Sequence, residues 1–93
     1  MTNEAAPLRE ERARSGVLAV LGDILQLPDG IEDDTDLSAC GLTSLEALTL
    51  IFAIEEEFRM SVPDEELKLA NFLTVGRIVR IVLSHTGDAG RQG

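Results

Sequence analysis

Two adjacent hydroxyl groups, those of Thr43 and Ser44, stand immediately ahead of the longest apolar run of the chain, in the segment ACGLTSLEAL. A serine hydroxyl acts as a catalytic nucleophile only when a base activates it, whereas an exposed hydroxyl is also a point of covalent modification. The one histidine, His85, stands alone near the end of the chain, and nothing in the sequence forms a nucleophile and base pair. We therefore expect a protein without catalytic activity of its own.

The pattern Thr-Ser-Leu-Glu at 43–46 is a capping box, which predicts a helix that begins at Ser44. In such a box Thr43 and Glu46 provide the cap, so the Ser44 hydroxyl is not needed there and is predicted to face solvent. A phosphodiester on that hydroxyl would lie among unpaired amides at the positive end of the helix dipole. The competing interpretation is that Ser44 is only a helix residue, because serine and threonine are common at helix starts.

The preceding segment PDGIEDDTDLSACGL, residues 28–42, predicts a long acidic loop. Its aspartates, Asp33, Asp34 and Asp36, suggest calcium, but the loop lacks the glycine and the distal glutamate that an EF-hand requires at fixed spacing. We therefore expect no metal site. Three apolar residues are predicted to pin the loop to the core: Ile31, Leu37 and Leu42.

The hydrophobic pattern predicts an all-α fold whose helices position this site. Apolar residues at helical spacing predict a first helix over 8–27, ended by Pro28, and a second helix over 44–58. A proline followed by acids predicts a short third helix that starts at Pro63 and ends near Leu69, and Thr74 is predicted to cap the last helix. The predicted organisation is a flexible N-terminal tail at 1–7, one domain at 8–86 and a flexible C-terminal tail at 87–93.

Length and composition limit the protein to one small domain with a simple core. The 93 residues are 44% hydrophobic but only 3% aromatic, so the core is built mainly from Leu, Ile and Val, which suits packed helices. The lone Cys40 cannot form an intramolecular disulfide and the first residues lack the pattern of a signal peptide, which together predict a cytoplasmic location. No apolar stretch approaches the ~20 residues of a membrane span.

The net charge of −9 is concentrated in the middle of the chain. Residues 28–68 hold twelve acids and two bases, whereas the rest of the chain holds five acids and six bases. Such a surface repels nucleic acid and anionic membranes, and it attracts proteins that carry basic patches. We therefore expect protein partners, with no nucleic acid and no membrane, and we expect the chain to be a monomer.

The order of several motifs resembles that of the acyl carrier proteins and the related peptidyl carrier domains. The segment DTDLSACGLTSLEAL is followed by EEEF, VPDEEL and TVGRIVRIV, so the resemblance extends over residues 8–86. The attachment motif typical of that family is Gly-x-Asp-Ser-Leu, and residues 41–45 of this chain are Gly-Leu-Thr-Ser-Leu. The resemblance implies a covalent 4′-phosphopantetheine on Ser44, attached by a separate phosphopantetheinyl transferase.

The resemblance also implies a fold and a function. The implied fold is a four-helix bundle, with three longer helices and one short helix, and a long first loop. The implied function is that of a free-standing carrier that holds acyl or aminoacyl intermediates as thioesters on its arm. Residues 8–86 would form the carrier domain. The implied partners are the phosphopantetheinyl transferase, an acyl- or aminoacyl-loading enzyme, and synthase or transferase enzymes. The alternative is a small acidic helical adaptor with no prosthetic group.

In that family the helix after the serine recognises partner enzymes. The resemblance thus implies partner binding by six residues: Leu45, Glu46, Leu48, Phe52, Glu55 and Glu56. The second helix has an apolar arc wider than one core contact needs, which agrees with this role, although the three apolar side chains would also suit a core. Thr43 and Thr49 stand where the family commonly has acids, which indicates a dedicated pathway of the polyketide or nonribosomal peptide type.

Overall fold

The computed structural model describes residues 5–92, and the side chains of residues 9–85 within them. The described chain forms three α-helices: α1 at Ala5–Ile24, α2 at Ser44–Phe58 and α3 at Val75–Gln92. Three short 3-10 turns lie between them, at Leu37–Cys40, Asp64–Glu66 and Leu69–Phe72. These residues include no strand, so the all-α prediction is confirmed.

Local signals set the bounds of the helices. The predicted bounds of α2 are confirmed, and α3 begins directly after Thr74, whose Oγ1 accepts a hydrogen bond from the amide of Arg77 at 3.2 Å. The first helix ends at Ile24, three residues earlier than predicted. Pro28 disfavours a helical conformation at Leu27, the residue directly before it.

The described parts of both predicted tails, 5–7 and 87–92, are helical in this structure. The remaining residues of those tails, 1–4 and 93, lie outside the described range. None of the helices within that range combines the length and the apolarity that crossing a bilayer would take.

The predicted count of four helices is not confirmed, because residues 5–92 form three α-helices. The segment after α2 forms two separate 3-10 turns in place of the short helix expected from Pro63 to near Leu69. The carbonyl oxygen of Glu66 accepts from the amide of Lys68 at 2.8 Å and from Nδ2 of Asn71 at 3.0 Å. Both lone pairs of that oxygen are then used, so it accepts no amide one α-helical turn further along the chain.

The core is formed where the inward faces of the three helices meet. The first helix contacts both α2 and α3, and α2 also contacts α3. The prediction that apolar residues of the acidic loop pack against the core is confirmed for Leu37 and Leu42, which are 0% and 2% exposed. Ile31 is partly buried against the core. The largest side chains enclosed in the core are Phe72, Leu21, Leu37, Leu50, Ile54 and Ile78.

One residue of the acidic loop, Asp33, ties the loop to both α1 and α3. Its carboxylate accepts two hydrogen bonds from the Arg14 guanidinium, Nε to Oδ1 at 3.0 Å and Nη2 to Oδ2 at 2.6 Å. Its backbone oxygen accepts from the amide of Gly76 at 2.9 Å. A Cβ at position 76 would lie 3.3 Å from that oxygen, so glycine allows this close approach. The loop that leads to the second helix is therefore fixed in place.

We expect Asp33→Asn to lower the free energy of unfolding by up to about 1 kcal/mol at neutral pH, because the pair is half-exposed. The hydrogen bonds from Arg14 lower the pKa of Asp33, so its ionised form is favoured in the folded state. A lowered folded-state pKa stabilises the fold above the ordinary aspartate value, about 4, and the stabilisation is lost as pH falls through the lowered pKa. Urea unfolding of both proteins across this pH range measures the effect.

The matched control is Asp34→Asn, which removes a neighbouring exposed carboxylate that makes no hydrogen bond or ion pair with the described side chains. We expect this control to change stability by less than about 0.5 kcal/mol. Equal effects of the two substitutions at neutral pH would contradict the role given to Asp33.

Candidate functional site

The backbone before α2 turns sharply and delivers Ser44 to the start of the helix. Gly41 ends the preceding 3-10 turn at φ 104°, a left-handed conformation that glycine adopts without steric cost. The next residue, Leu42, is 2% exposed and anchors the chain in the core. Thr43 is extended, with φ −107° and ψ −179°, and is the N-cap of α2. Ser44 is thereby the first helical residue, as predicted.

The Ser44 side chain is exposed to solvent. Its hydroxyl makes no hydrogen bond to any other described residue, so no local interaction has to be broken before it reacts. The first bond of the helix runs from the amide of Ala47 to the carbonyl of Thr43, 2.8 Å long. The amides of the first turn therefore have no carbonyl partner within the helix, and the start of a helix favours a negatively charged group.

The cap of α2 is made by Thr43 and Glu46, which form the predicted capping box. The backbone amide of Thr43 donates to Glu46 Oε1 at 3.3 Å, and the Thr43 hydroxyl donates to the same carboxylate oxygen. The hydrogen bond from the Thr43 side chain is the main cause of a lowered pKa of Glu46. The side chain of Glu46 is thus ionised and held at the start of the helix, two residues from Ser44.

Three large apolar side chains form a stripe on the outer face of α2: Leu45, Leu48 and Phe52. Their exposed fractions are 71%, 52% and 65% respectively. The core-facing side of the same helix buries other residues, namely Ala47, Leu50, Ile51 and Ile54. The stripe is therefore not part of the core, which removes the core interpretation of these three residues. We call these three residues the exposed apolar stripe.

The three acids predicted to bind partners have different surroundings. Glu46 belongs to the cap, and Glu55 Oε2 accepts from the amide of Val62 at 2.9 Å, so both carboxylates have partners within the chain. Glu56 is exposed. With about 100° per residue, Glu56 lies roughly 20° around the helix from Leu45 and so borders the exposed apolar stripe. Of the three acids, Glu56 alone is both exposed beside the stripe and without a hydrogen bond to the described residues.

Sequence reasoning missed two further exposed leucines, Leu67 and Leu69, which are 41% and 39% exposed. Leu67 lies between the two 3-10 turns that replace the predicted third helix, and Leu69 is the first residue of the second of these turns. The available signal was the alternation Glu-Leu-Lys-Leu at 66–69, in which each leucine follows a charged residue. A helical interpretation of this segment concealed that alternation.

The described side chains offer no alternative chemistry at this site. No three of their His, Cys, Asp and Glu groups come together as a metal-ligand set. His85 Nε2 lies 3.0 Å from Glu66 Oε1, a pair that joins α3 to the first 3-10 turn after α2. The fold and the site thus define a small helical protein that presents one free serine hydroxyl at a helix start.

The phosphopantetheine attachment site family matches residues 15–82, well over half of the chain. The chain belongs to this family, the carrier proteins. The arm of these proteins is a covalently attached 4′-phosphopantetheine, and they are non-catalytic substrates of other enzymes. Membership therefore removes the alternative of an adaptor without a prosthetic group.

Curated relatives include both acyl and aminoacyl carriers. The chain is 39% identical over 54 residues to the acyl carrier protein of Clostridium perfringens (strain SM101 / Type A), covering 58% of this chain and 68% of the relative. It is 34% identical over 70 residues to the aminoacyl carrier protein of Agrobacterium fabrum (strain C58), covering 72% of this chain and 84% of the relative.

A solved structure resembles the chain in fold as well as in sequence. It is a chain from the crystal structure of an engineered Bradyrhizobium japonicum glycine:[carrier protein] ligase complexed with carrier protein from Agrobacterium tumefaciens and ATP. The TM-score is 0.69 at 32% identity, and the match covers 75% of this chain and 95% of that chain. In that structure a carrier protein is bound to a glycine:[carrier protein] ligase.

Proposed function

We propose that Ser44 bears the 4′-phosphopantetheine arm and that the arm holds an acyl or aminoacyl group as a thioester. The observation that supports this most is the position of the hydroxyl, exposed and without a hydrogen bond at the first residue of α2. The cap does not use it, because Thr43 and Glu46 make the cap. The residues present therefore fit the group that the family carries.

In the attachment step, the Ser44 oxygen forms a bond to the phosphorus that bears pantetheine in coenzyme A. The bond between that phosphorus and the bridging oxygen of the pyrophosphate breaks, and adenosine 3′,5′-bisphosphate leaves. The hydroxyl proton passes to a base on the transferase. This chain contributes the nucleophilic oxygen at a helix start, where unpaired amides favour the negative charge of the resulting phosphodiester.

An aminoacyl cargo is the better supported class. The Agrobacterium fabrum aminoacyl carrier protein matches 72% of the chain, against 58% for the Clostridium perfringens acyl carrier protein. The structural relative was crystallised with a glycine:[carrier protein] ligase. We therefore propose that an ATP-dependent amino acid ligase loads this chain, and that the cargo then passes to a synthase or transferase.

The pathway is proposed to be a dedicated one, of the polyketide or nonribosomal peptide type, operating in the cytoplasm. Thr43 and Thr49 support this choice, since both stand where acids are common in fatty-acid carriers and both are exposed here. The lone cysteine, Cys40, is free, in keeping with a reducing compartment.

The exposed apolar stripe is the proposed docking surface for the loading enzyme and the transferase. The three large apolar side chains of the stripe are exposed and do not belong to the core, and Glu56 borders them. A partner surface with an apolar groove and neighbouring Arg or Lys side chains would complement this face. Apolar contact then provides affinity, and the charges increase the association rate.

Incubation of the folded chain with a phosphopantetheinyl transferase and coenzyme A is expected to add the mass of one phosphopantetheine group. Intact-mass spectrometry measures the product, and circular dichroism of the same sample establishes that the chain is folded. An unchanged mass for the folded chain, under conditions that convert an established carrier protein completely, would contradict the proposal.

A further inference from the structure

We propose that the outer face of α3 is a second interaction surface, which binds an acidic amphipathic helix of a partner protein. This surface, the α3 surface, consists of Arg77, Arg80 and the groove beside Arg80. Its positive charge is opposite to the charge of the α2 face, where Glu56 borders the exposed apolar stripe. The inference goes beyond the proposed function, because none of these residues takes part in attachment of the arm.

The bases of α3 lie apart from the acids of the chain. Residues 67–85 contain three Lys or Arg and no Asp or Glu, although the whole chain holds 17 acids and only 8 Lys or Arg. Arg77 and Arg80 are both exposed, and neither forms an ion pair with the described acids. The two arginines therefore form a local positive surface on a protein of net charge −9.

The two arginines share the side of α3 that points away from the core. With about 100° per residue, they lie roughly 60° apart around the helix and at least about 100° from the buried side chains of Ile78 and Val82. Arg77 Nη1 donates to the carbonyl oxygen of Ala70 at 3.4 Å. This bond restricts the guanidinium and leaves its other N–H groups available to a carboxylate.

A groove of about 300 Å³ lies beside Arg80, between α1 and α3. The residues that line it come from α1, the acidic loop and α3: Glu10, Arg14, Asp33, Gly76, Val79, Arg80 and Leu83. Arg14 Nη2 lies 4.0 Å from Glu10 Oε2 and 2.6 Å from Asp33 Oδ2, so these three charges compensate one another in part. Arg80 is the lining charge that has no opposite charge beside it among the described residues.

The spacing of the arginines matches one face of a partner helix. Side chains three or four residues apart on a helix have Cβ atoms about 5–6 Å apart, so two Glu residues at that spacing reach both arginines. A leucine one turn further along the same helix then enters the groove, where Val79 and Leu83 provide apolar contact. Apolar burial gives affinity, and the paired carboxylates and guanidinium groups fix the orientation of the helix.

A single helix suits this surface better than an extended polyanion does. The net charge of −9 repels nucleic acid and anionic membranes, which would approach the acids of other faces as well as the two arginines. A helix contacts the α3 surface alone. The α3 surface and the exposed apolar stripe lie on different helices, each on the side away from the shared core, so a partner helix on α3 leaves the stripe available to the loading enzyme.

The test is an NMR titration of the full chain with a synthetic helical peptide that carries two Glu residues four apart and a Leu one turn later. We expect saturable shifts in residues 75–85 below about 1 mM peptide. Arg77→Gln and Arg80→Gln are each expected to raise Kd about threefold, and the double variant about tenfold, as exposed ion pairs do. The matched control is Arg12→Gln, an exposed arginine of α1, which is expected to change Kd less than about 1.5-fold.

Two further measurements separate this surface from the α2 face. A peptide with Gln in place of both Glu residues is expected to bind about tenfold more weakly, because the ion pairs are lost. The rate of arm attachment to Arg80→Gln is expected to stay within about twofold of that of the original chain, since the proposed docking surface of the transferase is on α2.

The inference is overturned if the acidic peptide gives no saturable shift up to about 1 mM, if the shifts fall on α2, or if Arg12→Gln weakens binding as much as Arg80→Gln. It is also overturned if duplex DNA or phosphatidylglycerol vesicles bind the chain as tightly as the peptide and with the same loss in Arg80→Gln. Self-association in analytical ultracentrifugation that disappears in Arg80→Gln would identify a second copy as the occupant and overturn it too. Each of these results leaves the gain of the arm untouched, whereas failure to gain the arm contradicts only the proposed function.

Discussion

Ser44→Ala is expected to abolish attachment of the arm while leaving the protein folded. The hydroxyl is the only group of Ser44 that can form the bond to phosphorus, so its removal leaves no partial activity. The fold should not suffer, because the hydroxyl has no described hydrogen-bond partner and alanine favours a helix more than serine does, by about 0.5 kcal/mol. Intact-mass spectrometry after incubation with transferase and coenzyme A measures the loss.

The matched control for this variant is Ser61→Ala. Ser61 is another exposed serine and lies in the segment between α2 and the first following 3-10 turn, outside any helix. It is expected to gain the arm as fast as the original chain. Attachment that persists in Ser44→Ala and disappears in Ser61→Ala would contradict the assignment of the site.

Phe72→Ala is expected to lower the free energy of unfolding by about 3–5 kcal/mol, the usual cost of truncating an enclosed phenylalanine. Phe72 is 1% exposed and lies in the last 3-10 turn, which packs on both α2 and α3. Because a small domain has a total stability of about 5–15 kcal/mol, this loss brings the protein close to unfolding at 37 °C. Urea unfolding followed by circular dichroism measures it.

The matched control for Phe72→Ala is Phe52→Ala, which also truncates a phenylalanine, but one that lies in the exposed apolar stripe. Phe52 is 65% exposed, so we expect a change in stability within about 0.5 kcal/mol. The same variant is expected to lower kcat/KM for arm attachment about fivefold or more, as truncation of an aromatic contact residue does at other interfaces. A large loss of stability with unchanged attachment kinetics would contradict the docking role of the stripe.

Features set by residues close in sequence were predictable. The start of α2 followed from the capping box at Thr43 and Glu46, and the start of α3 followed from Thr74, because a cap depends on contacts within one turn. The free hydroxyl of Ser44 followed from the same local argument. The burial of Leu37 and Leu42 was also predictable, because an apolar side chain in an acidic loop is stabilised by packing against the core.

Features set by residues distant in sequence were not predictable in the same way. The apolar arc of α2 was wide enough to indicate two contacts, but periodicity does not say which part faces α1 and α3; only packing shows that Leu45, Leu48 and Phe52 are outside. The hydrogen bonds that Arg14 donates to Asp33 join residues 19 apart, and no local pattern distinguishes that pair from the other acids and bases of the two segments.

The two 3-10 turns after α2 also depend on contacts that a local sequence pattern does not show, although these contacts join residues closer in sequence. Pro63 and the three acids that follow it are residues that favour the start of a helix. The turn ends at Glu66 because its carbonyl oxygen bonds to Lys68 and Asn71, and the segment then turns again to bury Phe72. Burial of one aromatic side chain thus overrides the local preference for a continuous helix.

The most direct test of the account is to locate the modification on the protein isolated from its native cell. Proteolysis followed by tandem mass spectrometry is expected to find one phosphopantetheine group, with fragment ions that place it on Ser44, between Thr43 and Leu45. An aminoacyl group bound through the terminal thiol, and released by hydroxylamine, would agree with the proposed cargo. Phosphopantetheine on any other residue, or none in a preparation where other carriers of the cell bear it, would contradict the account.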